Sequence, residues 1–181
     1  ADILQYDEVT ANPGNRCYFC KKRIMGAIRA AAVADGYETM IDGTNASDEC
    51  GDRPGMKVLE EQHILSPLRI CGLTKSDVRR LSKEAGLFTW DKPAYACLAT
   101  RIPAGEKITA EKLKAIEESE AVLFAMGFSD FRVRVRDGGA LLQFTEEQQR
   151  RAQEMLGEIT TELLKHFETI KIDLKAREKS K

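Results

Sequence analysis

The stretch FRVRVRDGGALLQF, residues 131–144, decides how the second half of the chain is read. Its first half alternates strictly between arginine and valine, a period of two that sends one set to each face of a strand. Asp137, Gly138 and Gly139 then supply turn residues before a second apolar run, so the segment predicts a β-hairpin. Arg132, Arg134 and Arg136 fall on one face at successive spacings of about 6.8 Å. Two readings of that ladder are open. It is a solvated outer face, or it is an anion site in which guanidinium forks meet phosphate oxygens two at a time.

Upstream of the hairpin, ITAEKLKAIEESEAVLFAMG (108–127) puts Leu113, Ile116, Leu123 and Phe124 on roughly one helical face. Downstream, Thr145 with Gln148 has the form of a capping box, opening a long helix over 146–167, and TIKIDL (169–174) reads as a last strand. The order helix, strand, strand, helix, strand predicts a small α+β domain over 90–181. The lysine-rich end, KAREKSK, is expected to be frayed and solvated.

Residues 1–89 have a different texture. CKKRIMGAIRAAAVADG (20–36) is an alanine-rich helix stopped by Gly36, and YETMID (37–42) reads as a short strand running into the polar loop GTNASDECGDRPG. A second helix begins at TKSD, where Thr74 caps and Asp77 completes a capping box, and Gly86 closes it. Strand and helix alternate, which predicts a parallel α/β unit. Trp90 is expected to be a packing anchor where the two halves join, and no role is assigned to His63 or His166.

Composition narrows the class. The 181 residues carry 28 Lys and Arg against 29 Asp and Glu, a formal net charge of -1, so any basic site must be local. No apolar run approaches the roughly 20 residues of a membrane helix, and the opening residues do not form a charged and then apolar leader. The reading is a cytoplasmic protein with neither membrane nor nucleic acid as partner. Five cysteines at irregular spacing do not form a disulfide framework. Cys17 and Cys20 have the Cys-x-x-Cys spacing that serves a metal or cluster, redox chemistry or plain packing, and a third ligand would sharpen the choice. Cys97 lies in KPAYACLATRIPAG, too rich in Pro and Gly for a regular element, and such loops carry chemistry. Cys50 and Cys71 have no partner at a ligand-like spacing and read as small, buried or half-buried side chains.

Taken together, NPGNRCYFCKK, DGTNASDECGDRPGMK, SPLRICGLTKSDVRRLSKEAGLFTWDKPAYACLATRIPAGEKIT and GFSDFRVRVRDGGALLQF resemble the LarE family over nearly the whole chain. These are ATP-dependent sulfur transferases of nickel-pincer cofactor biosynthesis, within the PP-loop ATP pyrophosphatases. The resemblance implies an α/β fold, with the remainder of a Rossmann-like PP-loop nucleotide-binding domain over 1–89 and a sulfur-transferase domain over 90–181. It implies that a carboxylate of pyridinium biscarboxylic acid mononucleotide is adenylylated by ATP with Mg, and that sulfur is then delivered to give a thiocarboxylate. The family's Ser-Gly-Gly-x-Asp-Ser loop does not occur in this sequence, so the chain is expected to be the larger, C-terminal part of a longer protein, inactive by itself in adenylylation.

Carried over by position, Cys17, Cys20 and Cys97 would bind a 4Fe-4S cluster, with Cys97 at the point of sulfur delivery. The three-cysteine kind of LarE-like protein takes its sulfur from a sulfide donor and consumes no cysteine. The resemblance also assigns Arg132 and Arg134 to the substrate phosphate, with Thr100 and Arg101 beside the sulfur-donating loop. Asp42, Gly43, Thr44 and Asn45, together with Asp52 and Arg53, fall to the nucleotide. Gln143 stands on the following strand where a carboxylate would serve a divalent ion. A homo-oligomer is implied as well. Two other readings stay open: a non-catalytic module holding a cluster or zinc, and a tRNA-thiolating PP-loop enzyme.

Overall fold

The computed structural model describes residues 2–48 and 54–178, so Cys50, Asp52 and Arg53 lie outside the described residues. Two compact units emerge: Ala1–Val9 with Pro13–Lys92, and Thr10–Asn12 with Pro93–Lys181. No described helix is long and apolar enough to cross a membrane.

In the first unit, α1 (Asp7–Thr10, its last residue belonging to the second unit) precedes α2 (Arg16–Ala34). The alanine-rich run sustains α2 because alanine surrenders no side-chain entropy in a helix. Gly36 ends it at φ +83°, where only glycine is unstrained, and the amides of Gly36 and Tyr37 bond back to the carbonyls of Val33 and Ala32. Packed against α2 is α3 (Pro54–Glu61), which buries Val58 and Leu59. Met40, Leu59 and Ile64 form a small core with Met25 and Met56 beside them.

The strand expected over 37–42 reduces to one parallel bridge, Ile41 with Leu65. Its partner has no room to extend. His63 turns at φ +51°, and Pro67 opens α4 (Pro67–Ile70) two residues past Leu65. Beyond it, α5 (Lys75–Glu84) carries the expected capping box: the Thr74 hydroxyl accepts from the Asp77 amide at 3.2 Å, and the Asp77 carboxylate accepts from the Thr74 amide at 3.0 Å. Cys71, read as buried or half-buried, is exposed, because it caps the C-terminus of the one-turn α4.

The second unit is built on α6 (Ala110–Ala125) and a three-stranded sheet in the order β1 (Arg132–Arg136), β2 (Gly139–Gln143), β3 (Ile170–Ile172). β1 and β2 pair antiparallel, Arg132 opposite Gln143, and β3 lies parallel to β2. Asp137 and Gly138 take φ of +50° and +75°, the left-handed pair that a tight two-residue hairpin turn requires. Val133 and Val135 enter a core with Ile116, Leu123, Phe128, Phe131, Leu142, Phe144, Ile159 and Leu163.

Four expectations are corrected here. Phe124 does not share the buried face of α6 and is 48% exposed, while Ser119 and Glu120 lie in that face. Thr145 makes no side-chain cap to the first-turn amides; its hydroxyl instead accepts from the Gln148 side chain at 3.1 Å, and Gln148 also bonds the backbone of Ser129. The long helix is two, α7 (Glu146–Glu154) and α8 (Leu156–Leu163), parted at Met155. The tail is not frayed as far as Glu178: the Arg177 amide bonds the Phe144 carbonyl at 2.9 Å, and its guanidinium pairs with Asp130.

Candidate functional site

In the second unit the loop after Pro93 is held down by one buried carboxylate. Glu120 sits on the core face of α6 with its side chain 1% exposed, facing an equally buried Arg101 whose Nε donates to it at 2.8 Å. The same carboxylate accepts from the Val133 amide of β1 at 3.1 Å and from the Tyr95 hydroxyl. Helix, sheet and loop therefore meet at a single acid. Burial, then the bond to Glu120, pushes the Tyr95 phenol up to about 12.

Cys97 is exposed at the start of the one-turn 3-10 helix Leu98–Arg101. Its carbonyl accepts from the Thr100 hydroxyl at 2.7 Å, and that hydroxyl accepts from Arg101 Nη1 at 3.0 Å. Arg134 Nη1 donates to the Thr100 carbonyl at 2.8 Å and its Nε to Gln143 at 2.6 Å. Arg132 donates to the carbonyls of Phe131 and Ala94 at 2.6 and 2.7 Å. The guanidinium carbons of Arg101 and Arg132 lie 5.4 and 6.0 Å from the Tyr95 ring centre, within cation–π range.

The structure thus draws Cys97, Thr100, Arg101, Arg132 and Arg134 to one loop of one unit. The outward face of β1 is not simply solvated: Arg132 is 7% exposed and Arg134 half-buried, whereas Arg136 alone is open. Burial, then the charge of Arg101, lowers both Arg132 and Arg134 from the ordinary arginine value. Among the described residues, three guanidiniums share this loop with one fully buried carboxylate, that of Glu120, and with Asp130 at 3.9 Å from Arg132. An anion brought to the cluster would relieve that repulsion through charge-assisted hydrogen bonds. Gln143 hands its own amide on to Asp173 at 2.8 Å, so the nearest acid on that side is one residue removed.

The first unit carries the other predicted positions. Cys17 and Cys20 lie one turn apart at the start of α2, Cys17 exposed and Cys20 partly so, with Arg16 Nη2 at 3.5 Å from the Cys17 sulfur. Asp42 is bound on both oxygens, by the Ser66 hydroxyl at 2.6 Å and by the amide and hydroxyl of Thr44 at 3.2 and 2.6 Å. Burial opposes its charge, but these bonds outweigh it and hold the carboxyl below its usual range. Next to it, Gly43 has open space where a side chain would stand, and the Asn45 amide turns to Asp48 at 3.0 Å. Lys83 lies 4.5 Å from the Trp90 ring centre. Among the described residues no group of three or more His, Cys, Asp and Glu side chains is arranged to hold a metal ion.

Sequence reading missed Glu120, Tyr95 and Asp173. Glu120 had a signal: it stands four residues after Ile116 and three before Leu123, on the apolar stripe, where a lone acid implies a buried cation.

The chain is 30% identical over 145 residues, 80% of this chain and 52% of the other, to pyridinium-3,5-bisthiocarboxylic acid mononucleotide synthase of Lactiplantibacillus plantarum. It is 40% identical over 152 residues (81% of this chain, 57% of the other) to an uncharacterized protein of Synechocystis. With an uncharacterized protein of Methanocaldococcus jannaschii it shares 33% over 135 residues (75% and 52%). The chain therefore spans about half the length of the curated relatives it matches. No protein-family model matches it.

Proposed function

We propose that this chain is part of an ATP-dependent sulfur transferase of the LarE kind, acting on a carboxylate of pyridinium biscarboxylic acid mononucleotide. The observation that carries the reading is the cluster of Arg101, Arg132 and Arg134 against the loop that bears the exposed Cys97, in a chain similar to the Lactiplantibacillus synthase. Arg132 and Arg134 hold the substrate phosphate, exchanging carbonyl partners for phosphate oxygens. Buried against Glu120, Arg101 with Thr100 fixes the Cys97 loop, so the acyl carbon is presented to sulfur in one orientation. Asp42, Gly43, Thr44 and Asn45, with Asp52 and Arg53, belong to the adenylate side and its magnesium.

In the first chemical step a carboxylate oxygen attacks the α-phosphorus of ATP and pyrophosphate leaves. Sulfur then attacks the acyl carbon, and AMP carries away the C–O bonding pair. Cys17 and Cys20 are accessible thiols one helical turn apart and Cys97 is an exposed thiol; thiolates are the soft donors a 4Fe-4S cluster takes, and these three would be its ligands. When bound, such a cluster supplies an iron site open to exogenous sulfide, so that no protein cysteine is consumed.

Anaerobic purification of a protein containing this chain, followed by iron and acid-labile sulfide analysis, tests the cluster. Iron and sulfide in equal amounts, lost in Cys97→Ser, are expected; a colourless protein with one zinc overturns it. Incubation with ATP, sulfide and the mononucleotide should release AMP and yield the thiocarboxylate. AMP release without sulfur incorporation refutes the transfer reading.

A further inference from the structure

The segment after β3 has no part in the chemistry above, yet it touches the partners of both phosphate-facing arginines. Asp173 takes the Gln143 amide at 2.8 Å, and Gln143 in turn accepts from Arg134 Nε at 2.6 Å. Four residues on, Arg177 donates to the backbone carbonyl and carboxylate of Asp130, and Asp130 Oδ1 lies 3.9 Å from Arg132 Nη1. Arg177 and Asp130 side chains are 17% and 12% exposed, so water competes weakly for this pair. The segment is itself tied to the sheet: the Asp173 amide bonds the Leu142 carbonyl, and the Arg177 amide bonds that of Phe144, both at 2.9 Å.

We infer that Asp173–Arg177 is a strap that positions the anion-binding arginines, Asp173 setting Arg134 through Gln143 and Arg177 setting Arg132 through Asp130. Neither strap residue touches the ligand. Each removes the freedom of a long guanidinium side chain whose immobilisation would otherwise weaken binding. A neutral hydrogen bond and a longer ionic contact aim the two forks without neutralising them: Gln143 accepts from Arg134 without cancelling its charge, and Asp130, bonded to Arg177, lies 3.9 Å from Arg132.

The inference rests on the arginine cluster being the phosphate site, and the test separates the two. Titration calorimetry is run with inorganic phosphate, with the pyridinium biscarboxylic acid mononucleotide and with its phosphate-free nucleoside. Wild type is compared with Arg132→Ala, Asp173→Ala, Asp173→Asn, Arg177→Met and Arg177→Lys, each checked by thermal melting. Asp173→Ala and Arg177→Met should each weaken binding of phosphate and mononucleotide about tenfold, the worth of one good hydrogen bond. Nucleoside binding should not change. Asp173→Asn, which keeps an acceptor for Gln143, and Arg177→Lys should recover most of the loss. If phosphate binds and depends on Arg132 but the mononucleotide does not bind, the substrate reading falls while the strap variants still decide the inference. Strap variants that bind phosphate as wild type does, or that weaken nucleoside and phosphate equally, overturn the strap. A wild type that binds neither ligand overturns both. Should a strap variant melt too low to titrate, Gln143→Leu for the Asp173 half, or Asp130→Ala for the Arg177 half, must give the same tenfold loss or the inference fails.

Discussion

Replacing Glu120 by alanine is the sharpest test of how the site is held. The acid and Arg101 are each 1% exposed, and the carboxylate also serves the Val133 amide and the Tyr95 hydroxyl. Removing it strands a guanidinium in a medium where an unpaired charge is expensive, and leaves an amide of β1 without an acceptor. Breaking one side of a buried pair costs about 3–5 kcal/mol, and the orphaned amide about 1–3 kcal/mol within or beside that figure. Set against the roughly 5–15 kcal/mol that holds a domain together, Glu120→Ala should bring the second unit close to unfolding at 25 °C. The double variant Arg101→Met with Glu120→Leu removes both charges and fills the space, and should recover most of the loss. Urea titration followed by far-ultraviolet circular dichroism measures Glu120→Ala, the double variant and its two component singles, Arg101→Met and Glu120→Leu. A single variant costing less than about 1 kcal/mol, or a double variant costing the sum of the two singles, would refute the view that one acid binds helix, sheet and loop.

Other outcomes follow from neighbouring features. Tyr95 titrates near 12 when folded and near 10 when unfolded, so the native state holds its proton longer; its contribution is whole below about pH 10 and fades as pH climbs toward 12. A phenolate absorbance difference between wild type and Tyr95→Phe should reach its midpoint well above 10, and a midpoint at 10 contradicts the bond to Glu120. Gly139→Ala would drive a methyl group into Thr169, whose carbonyl lies 2.7 Å from the new carbon, and overpacking of this kind costs about 1–3 kcal/mol; an unchanged melting temperature would show that the β2–β3 register differs. Arg132→Ala and Arg134→Ala should each weaken mononucleotide binding by about 1.5–3 kcal/mol while iron content stays at the wild-type level, and equal affinity in both would move the phosphate elsewhere.

What could be read from sequence was whatever a short window encodes. Arginine and valine alternate over five residues and are followed by Asp-Gly, so the hairpin and its turn were both visible. The Thr74 and Asp77 box closes within four residues and formed as expected. Thr145 and Gln148 have the same local form and their side chains do meet at 3.1 Å, but Gln148 also binds the backbone of Ser129, nineteen positions away, and no window around Thr145 contains that residue. The strand over 37–42 failed for a similar reason, since its length is set by a partner that His63 and Pro67 cut short. At the site, the arginine ladder was legible as an alternation. Its burial was not, because the groups that cover it, Ala94, Tyr95 and Thr100, come from a loop with no periodicity. Glu120 was hidden by its type: charged residues on helices are counted as surface until a buried cation gives a reason otherwise.

Thr10–Asn12 belongs to the second unit although the first unit's chain runs on both sides of it. Asn12 is buried, its side chain donating to the Pro103 carbonyl at 2.7 Å while its own carbonyl receives the Gly105 amide at 2.7 Å. During synthesis these three residues leave the ribosome some ninety positions before their partners, at about 5–20 residues per second, and must wait for seconds before they can be captured. The second unit is thus finished by a loop closure that spans nearly the whole of the first. A fragment starting at Pro93 would have its helices and hairpin but would leave the Gly105 and Ile108 amides without their acceptors, Asn12 and Thr10. No single cut in this polypeptide separates a whole second unit from the first.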